Sequence, residues 1–276
     1  MKFTKMHGLG NDFILVDAIT EQIKEDYSHL SRKICDRHFG IGADGLILVL
    51  PSEKEDIKMR IFNPDGSEPE MCGNGLRCFA KFVYEKGIVS KKIMTVETLA
   101  GTMIPELILD NNKVINIKVD MGQPILERSL IPMLGNSGQV IEETIIVEGK
   151  EFKVTAVSMG NPHCIIFVPD INEIDIYKWG PLVESHELFP NKTNVEFVQI
   201  INEEKVIMRV WERGAGITNA CGTGACATLV AANLSGKTSK KAEVQLLGGS
   251  LYIEWLLNGH VLMTGSATNV FQGEYL

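Results

Sequence analysis

Apolar residues recur along this chain at two kinds of interval, and the intervals sort it into strands and helices. Alternating or short continuous apolar runs predict strands at 3–8, 12–18, 46–50, 58–63, 95–98, 101–109 and 114–119. A second series follows at 144–157, 164–168, 195–201, 206–212, 251–257 and 260–264. Spacings of three and four predict a helix over 21–38, where Ile23, Tyr27, Leu30, Ile34 and Cys35 share a face, and another over 173–186. Turn formers punctuate the strands: Gly8 to Asp12, Pro64-Asp65-Gly66-Ser67, Asn111-Asn112, and Asn258-Gly259 as a type I′ hairpin turn. Residues 120–143, rich in Gly, Pro, Asn and Ser, read as a crossing between two halves. The halves are placed at 1–119 with 265–276, and at 120–264.

Two further helices start in the same way. Cys72-Gly73-Asn74-Gly75 opens one and Cys221-Gly222-Thr223-Gly224 opens the other, 149 positions later. Gly87 is placed to end the first as the residue after its C-cap. Met59-Arg60-Ile61-Phe62 and Met208-Arg209-Val210-Trp211 lie at the same offset, and Gly10-Asn11 precedes Gly160-Asn161 by 150. Two similar halves are the economical reading, against coincidence in a Gly-rich chain. Gly40 to Gly45 matches G-x-G-x-x-G, but it follows a helix and opens a strand, the reverse of a dinucleotide site, so it reads as a tight loop.

Charge narrows the partners. With 27 basic and 35 acidic residues the net charge is −8, which disfavours nucleic acid and anionic membrane as partners. The basic run Lys237 to Lys241 reads as a solvated turn. No apolar run reaches a membrane-spanning length and the N-terminus has no apolar centre, so a cytoplasmic location is expected. The six cysteines are then expected as thiols, and without a C-x-x-C pair no metal site is expected.

The repeated phrase suggests chemistry. Unpaired N–H groups and a partial positive charge at a helix start favour a bound carboxylate, and the same field favours a thiolate. Glycines let the ligand approach the backbone. Two such ends acting on one ligand from opposite sides suit inversion at a carbon next to a carboxylate. A lone cysteine is ordinarily a small buried hydrophobe, which is the reading for Cys35, Cys78, Cys164 and Cys226. The paired context sets Cys72 and Cys221 apart. His163 and Glu212 could assist a thiol, and Arg213 could clamp a carboxylate. Each is also an ordinary structural residue, as are Asn11, Asn63, Asn161 and Asn194 at their turns.

Together the motifs resemble those of diaminopimelate epimerase. They are His7-Gly8-Leu9-Gly10-Asn11-Asp12-Phe13, Asn63-Pro64-Asp65-Gly66-Ser67-Glu68, Cys72-Gly73-Asn74-Gly75-Leu76-Arg77-Cys78, Gly160-Asn161-Pro162-His163, Thr193-Asn194-Val195-Glu196-Phe197 and Glu212-Arg213-Gly214-Ala215-Gly216 through Ala220-Cys221-Gly222-Thr223-Gly224-Ala225-Cys226-Ala227. The resemblance implies an α/β (α+β) fold of two pseudo-symmetric halves, each a barrel-like sheet wrapped on a central helix, with the active site in the cleft between them. It implies a racemase without pyridoxal phosphate, metal or other cofactor that interconverts LL- and meso-diaminopimelate for lysine and peptidoglycan precursor synthesis. Cys72 and Cys221 are implied as the acid/base pair, supported by His163 and Glu212. Asn11, Asn63, Asn161, Asn194, Glu212 and Arg213 are implied to bind substrate, with Gly73, Asn74, Gly222 and Thr223 receiving its carboxylate. Ile217 departs from a usual Glu, and Gly45 stands where some members carry a substrate-contacting Gln. The sequence leaves oligomeric state open, a homodimer included. The rivals are a proline or hydroxyproline racemase, a redox sensor pairing Cys72 with Cys221, and a non-catalytic binding module.

Overall fold

In the computed structural model, which describes residues 1–276, the chain divides into Met1–Asp120 with Thr264–Leu276, and Met121–Met263. The first unit opens with β1 (Lys2–Gly8) and β2 (Asn11–Asp17), antiparallel about Leu9-Gly10. Helix α1 (Tyr27–Ile34) leads to β3 (Gly45–Leu50), parallel to β2, and β4 (Ile57–Phe62), antiparallel to β3. Helix α2 (Gly73–Glu85) follows, then β5 (Val96–Thr98), parallel to β4, and β6 (Gly101–Met103). The hairpin β7 (Glu106–Asp110) and β8 (Lys113–Asp120) turns on Asn111 and Asn112, both at positive φ (47° and 62°), as a type I′ turn requires.

The second unit has a 3-10 turn at Arg128–Leu130, then β9 (Glu143–Val147), β10 (Lys150–Ser158) and β11 (Pro162–Phe167). Helix α3 (Ile176–Glu184) precedes β12 (Asn194–Asn202), β13 (Lys205–Glu212) and the short β14 (Gly216–Ile217). Helix α4 (Gly222–Leu234) leads to β15 (Lys241–Leu246), β16 (Gly249–Trp255) and β17 (Val261–Gly265). The chain then rejoins the first unit as β18 (Thr268–Glu274), antiparallel to β1.

The sequence repeat is a repeat of topology. One sheet runs β18-β1-β2-β3-β4-β5-β6, the other β9-β10-β11-β12-β13-β15-β16 within its unit. Both orders pair antiparallel, antiparallel, parallel, antiparallel, parallel, antiparallel. Each sheet curls around one helix. Against α2 pack β1, β2, β3, β4 and β8; against α4 pack β10, β11, β12, β13, β15 and β16. The first sheet does not close, since β18 and β6 remain its edges.

Helix α4 is buried on all sides, as apolar residues around a whole circumference demand, whereas α2 leaves Glu85 exposed and Lys81 and Tyr84 half-buried. In α4 every residue from Gly224 to Ala232 is buried; in α2 the run is Asn74 to Ala80 with Phe82 and Val83. Burial of Leu76, Phe79 and Val83 stabilises the unit by about 1.5–3 kcal/mol each. The outer sheet faces carry their own clusters. Ile14, Val16, Leu46, Leu48 and Phe62 pack with Leu30 and Ile34 of α1, and Ile166, Val195 and Phe197 with Val183 of α3. A strand covered on both faces reads as a continuous apolar run, which is why β2, β3 and β11 stand out in the sequence.

Several expectations are corrected. The helix placed at 21–38 is confined to Tyr27–Ile34, because Asp26 caps it, its Oδ1 accepting from the His29 N–H at 3.0 Å. The strand placed at 101–109 is two, broken at Pro105, which has no N–H for a ladder. Asn258-Gly259 is not a type I′ turn: only Gly259 has positive φ (89°), and its N–H closes a four-residue turn centred on Leu257-Asn258 by donating to the Leu256 carbonyl at 3.0 Å. The basic run at 237–241 is a turn as expected through Lys240, and only Lys241 opens β15, where Ala242, Val244 and Leu246 are buried in alternation. No helix is long and apolar enough to cross a membrane.

Candidate functional site

In the first unit, Cys72 is the N-cap of α2, with extended backbone (φ −139°, ψ 116°), and its sulfur accepts from the Gly75 N–H at 3.4 Å. Gly73 and Asn74 are therefore the first helical residues, whose N–H groups lie outside the intrahelical ladder. Asn11, at the start of β2, faces this end. Its Oδ1 accepts from Asn74 Nδ2 at 3.1 Å and lies 3.8 Å from the Cys72 sulfur, while its amide donates to Asp44 Oδ2 at 2.9 Å. Arg77 is wholly buried one turn into α2, and its Nη2 donates to Asn74 Oδ1 at 2.9 Å. Gly8 lets β1 pass close by: a Cβ there would sit 3.1 Å from both Arg77 Nη2 and the Asn74 carbonyl. Asn63 belongs to the Pro64–Ser67 turn, its amide donating to Ser67 Oγ at 3.0 Å.

An ion network stands behind Asn11. Asp12 pairs with Lys5 at 2.6 Å and with Arg37 at 2.7 Å, and Arg37 reaches Asp44 at 2.8 Å. Burial alone would raise the Asp12 carboxyl, but the hydrogen bonds from Arg37 and Lys5 outweigh it and hold it well below the usual carboxylate range.

In the second unit, Cys221 is the N-cap of α4 (φ −120°, ψ 110°), with Gly222 and Thr223 as the first helical residues. Its sulfur makes no capping bond and lies 3.6 Å from Thr223 Oγ1. Burial, and then the negative charge of Glu212 and of Glu196 when ionised, pushes the Cys221 thiol well above its ordinary value. The expected thiolate-favouring effect of the helix start is outweighed here by desolvation. The other cysteines behave as buried hydrophobes: burial raises Cys35 to about 11 and Cys78 to about 12, and Cys164 and Cys226 are wholly buried. All six are free of disulfides.

The remaining polar residues of this unit form two chains of contacts. His163, wholly buried on β11, has Nδ1 at 2.7 Å from Glu196 Oε1 and Nε2 at 3.0 Å from Asn161 Oδ1. Asn194 donates to the Pro162 carbonyl at 2.8 Å and accepts from the Arg213 N–H at 2.9 Å, tying the 213–216 loop to β12. The Arg213 guanidinium donates to the Asn191 carbonyl at 3.1 Å and pairs with no carboxylate. Glu212 accepts a short hydrogen bond from Thr218. Ile217 pairs with Trp211 in register, so its side chain belongs to the β13–β14 ladder. At Gly45 a Cβ would meet the Phe62 carbonyl at 2.9 Å.

Sequence reasoning assigned no part to Asp44, Glu184 or Glu196. Glu184 on α3 accepts from Trp211 Nε1 at 2.7 Å and from the Gly214 N–H at 3.0 Å, and so pins the loop before Cys221. A signal for Glu196 existed: it lies 149 positions after Ile47, an acid at the repeat position of a core residue. No three His, Cys, Asp or Glu side chains converge as metal ligands.

Comparison with known proteins adds the family. The family model described as diaminopimelate epimerase matches residues 3–127 and 155–270. The chain is 56% identical to the diaminopimelate epimerase of Moorella thermoacetica over 276 residues, covering 100% of this chain and 99% of that one. It is 56% identical to that of Methanococcus maripaludis strain C6, covering 99% of each. Among solved structures, a phenazine biosynthesis protein of the PhzF family from Bacillus anthracis superposes with a TM-score of 0.72 at 18% identity, covering 100% of this chain and 99% of that one. A probable proline racemase from Agrobacterium radiobacter K84 gives 0.72 at 14% identity, covering 100% and 92%. These two likenesses establish the fold alone.

Proposed function

The chain belongs to the diaminopimelate epimerase family, and we propose that it interconverts LL- and meso-diaminopimelate by passing the α-proton through Cys72 and Cys221. The observation that carries this is that both cysteines are N-caps of helices that begin Gly-x-Gly, at equivalent positions of two topologically matched units. A thiolate removes the proton from one face of the α-carbon, and the other thiol supplies one to the opposite face. The C–H bond broken and the C–H bond formed balance, and each turn of the cycle exchanges the roles of the two sulfurs.

Burial opposes ionisation of the Cys221 thiol; whichever sulfur is ionised takes the proton and the other returns one. The N–H groups of Gly73, Asn74, Gly222 and Thr223 receive the carboxylate beside the reacting carbon. Asn11, Asn63, Asn161, Asn194 and Glu212 bind the remaining polar groups, and the guanidinium of Arg213, which has no carboxylate partner within the chain, takes the distal carboxylate. Glu212 acts on Cys221 through its charge rather than by bonding its sulfur, and His163 supports the site through its contact with Glu196. The mechanism invokes no cofactor. The reaction sits in lysine and peptidoglycan precursor synthesis, in a reducing cytoplasm that keeps both thiols reduced.

Reduced protein incubated with LL-diaminopimelate in heavy water tests the reading. Epimerisation with deuterium at the α-carbon is expected; turnover of proline in its place would overturn the substrate assignment.

A further inference from the structure

The two units differ at one equivalent position, beneath the glycine that follows each cysteine by three residues. In the first unit Ile47 Cδ1 and Ile61 Cδ1 each lie 3.1 Å from where a Cβ on Gly75 would sit. At the matching place in the second, Glu196 Oε1 lies 2.6 Å, and Cys221 Sγ 3.2 Å, from where a Cβ on Gly224 would sit. An acid thus stands where the first unit has an aliphatic side chain, directly under the start of α4. The neighbouring strand follows suit: Phe13, which packs at Gly45, has His163 as its counterpart 150 positions on.

Glu196 is wholly buried, and its Oε2 has no hydrogen-bond partner. Both ring nitrogens of His163 face oxygens, Nδ1 toward Glu196 Oε1 and Nε2 toward Asn161 Oδ1. A neutral imidazole carries one N–H, so the second contact needs one more proton, on the ring or on Glu196. An ionised carboxylate with one bare oxygen in a dry floor is the costly arrangement. The groups facing Glu196 are His163 from β11, Glu212 from β13, Cys221 at the start of α4, and Cys164. Burial raises Glu196, and the opposing pull of His163 does not cancel it. Further negative charge from Glu212 acts in the same direction.

We propose that Glu196 is a positioning residue: it stays protonated, donates to His163 Nδ1, and so fixes the Nε2–H tautomer that holds the Asn161 side chain by its carbonyl oxygen. Asn161 then presents its amide nitrogen in one orientation, and no second fixed anion opposes ionisation of the Cys221 sulfur. The inference rests on the proposed reading of Asn161 as a substrate ligand.

The test is nitrogen NMR of the full chain carrying ¹⁵N-histidine, with His163 assigned by H163Q. The expected result for the wild type is a protonated Nε2 and an unprotonated Nδ1. E196Q keeps that tautomer, because its amide N–H replaces the carboxyl O–H, while E196L releases it. In kinetics, E196L lowers kcat/KM by about 10- to 100-fold, mostly through KM, and E196Q restores it to within about threefold of wild type. A protonated Nδ1 in the wild type would overturn the proposal, and so would E196L with an unchanged KM. The nitrogen shifts decide the proton's place even if diaminopimelate is not turned over, so failure of the substrate reading shows separately in the assay.

Discussion

The Asn11 amide donates to Asp44 Oδ2 at 2.9 Å, and this single bond fixes which end of the Asn11 side chain meets the helix start. With its nitrogen committed to Asp44, its oxygen is turned to Asn74 at 3.1 Å and to the Cys72 sulfur at 3.8 Å. Asp44 itself is 41% exposed, so its pairing with Arg37 adds only about 0–1 kcal/mol to stability. Asp44 Oδ2 also accepts from the Asp12 N–H at 3.0 Å, so Asp44→Ala is expected to lower kcat/KM about tenfold and to cost about 1–2 kcal/mol of stability. Steady-state kinetics beside a thermal melt check both halves of the statement.

Replacing either reacting sulfur removes a proton carrier while keeping its volume. Cys72→Ser and Cys221→Ser are each expected to reduce turnover about 10²- to 10⁴-fold with unchanged circular dichroism. Near-normal turnover in either variant would end the two-base reading.

The two glycines in the first turns of α2 and α4, Gly75 and Gly224, respond differently to a methyl group. At Gly224 the added Cβ meets a buried carboxyl oxygen at 2.6 Å; at Gly75 it meets the tips of two isoleucines at 3.1 Å, which can rotate away. Gly224→Ala is expected to destabilise by about 1–3 kcal/mol, and Gly75→Ala by less than about 1. Urea titration of the two variants ranks them; the reverse order would contradict the description of the two floors.

Asp12 gives stability a pH dependence of definite sign. Its carboxyl is held below the unfolded value, so its contribution is complete above about pH 4 and is lost as pH falls through the folded value. Asp12→Asn, which leaves the buried Lys5 without a counter-charge while it still donates to the Gly42 carbonyl, is expected to cost about 3 kcal/mol at pH 7. The gap from wild type should narrow as pH falls below about 4. Denaturation at pH 7 and pH 3 measures it, and a gap that widens in acid would refute the assignment.

What was legible in the sequence was whatever rests on local backbone rules. The Cys-Gly-x-Gly phrases announced helix starts because an N-cap and small first-turn residues are local needs, and the strands covered on both faces announced themselves as apolar runs. The helix over 21–38 was over-read because apolar spacing continued past the cap at Asp26, which fixes the true start. Strand β15 hid behind its lysines, although Ala242, Val244 and Leu246 alternate inward. Strand β18 hid because it is an edge whose residues are almost all exposed, so no buried face marks it. Asp44 and Glu196 act through neighbours 33 residues away in sequence, Asn11 and His163, and only the pairing of β2 with β3 and of β11 with β12 brings those partners together.

Because α4 is enclosed by its own sheet along nine successive residues, the thiol at its tip has no independent way to fray. Warming cannot loosen that end and spare the rest; the sulfur keeps its station until the surrounding unit melts cooperatively. Heat inactivation and the loss of tertiary signal should then fall on one curve, with no dead yet folded species between them.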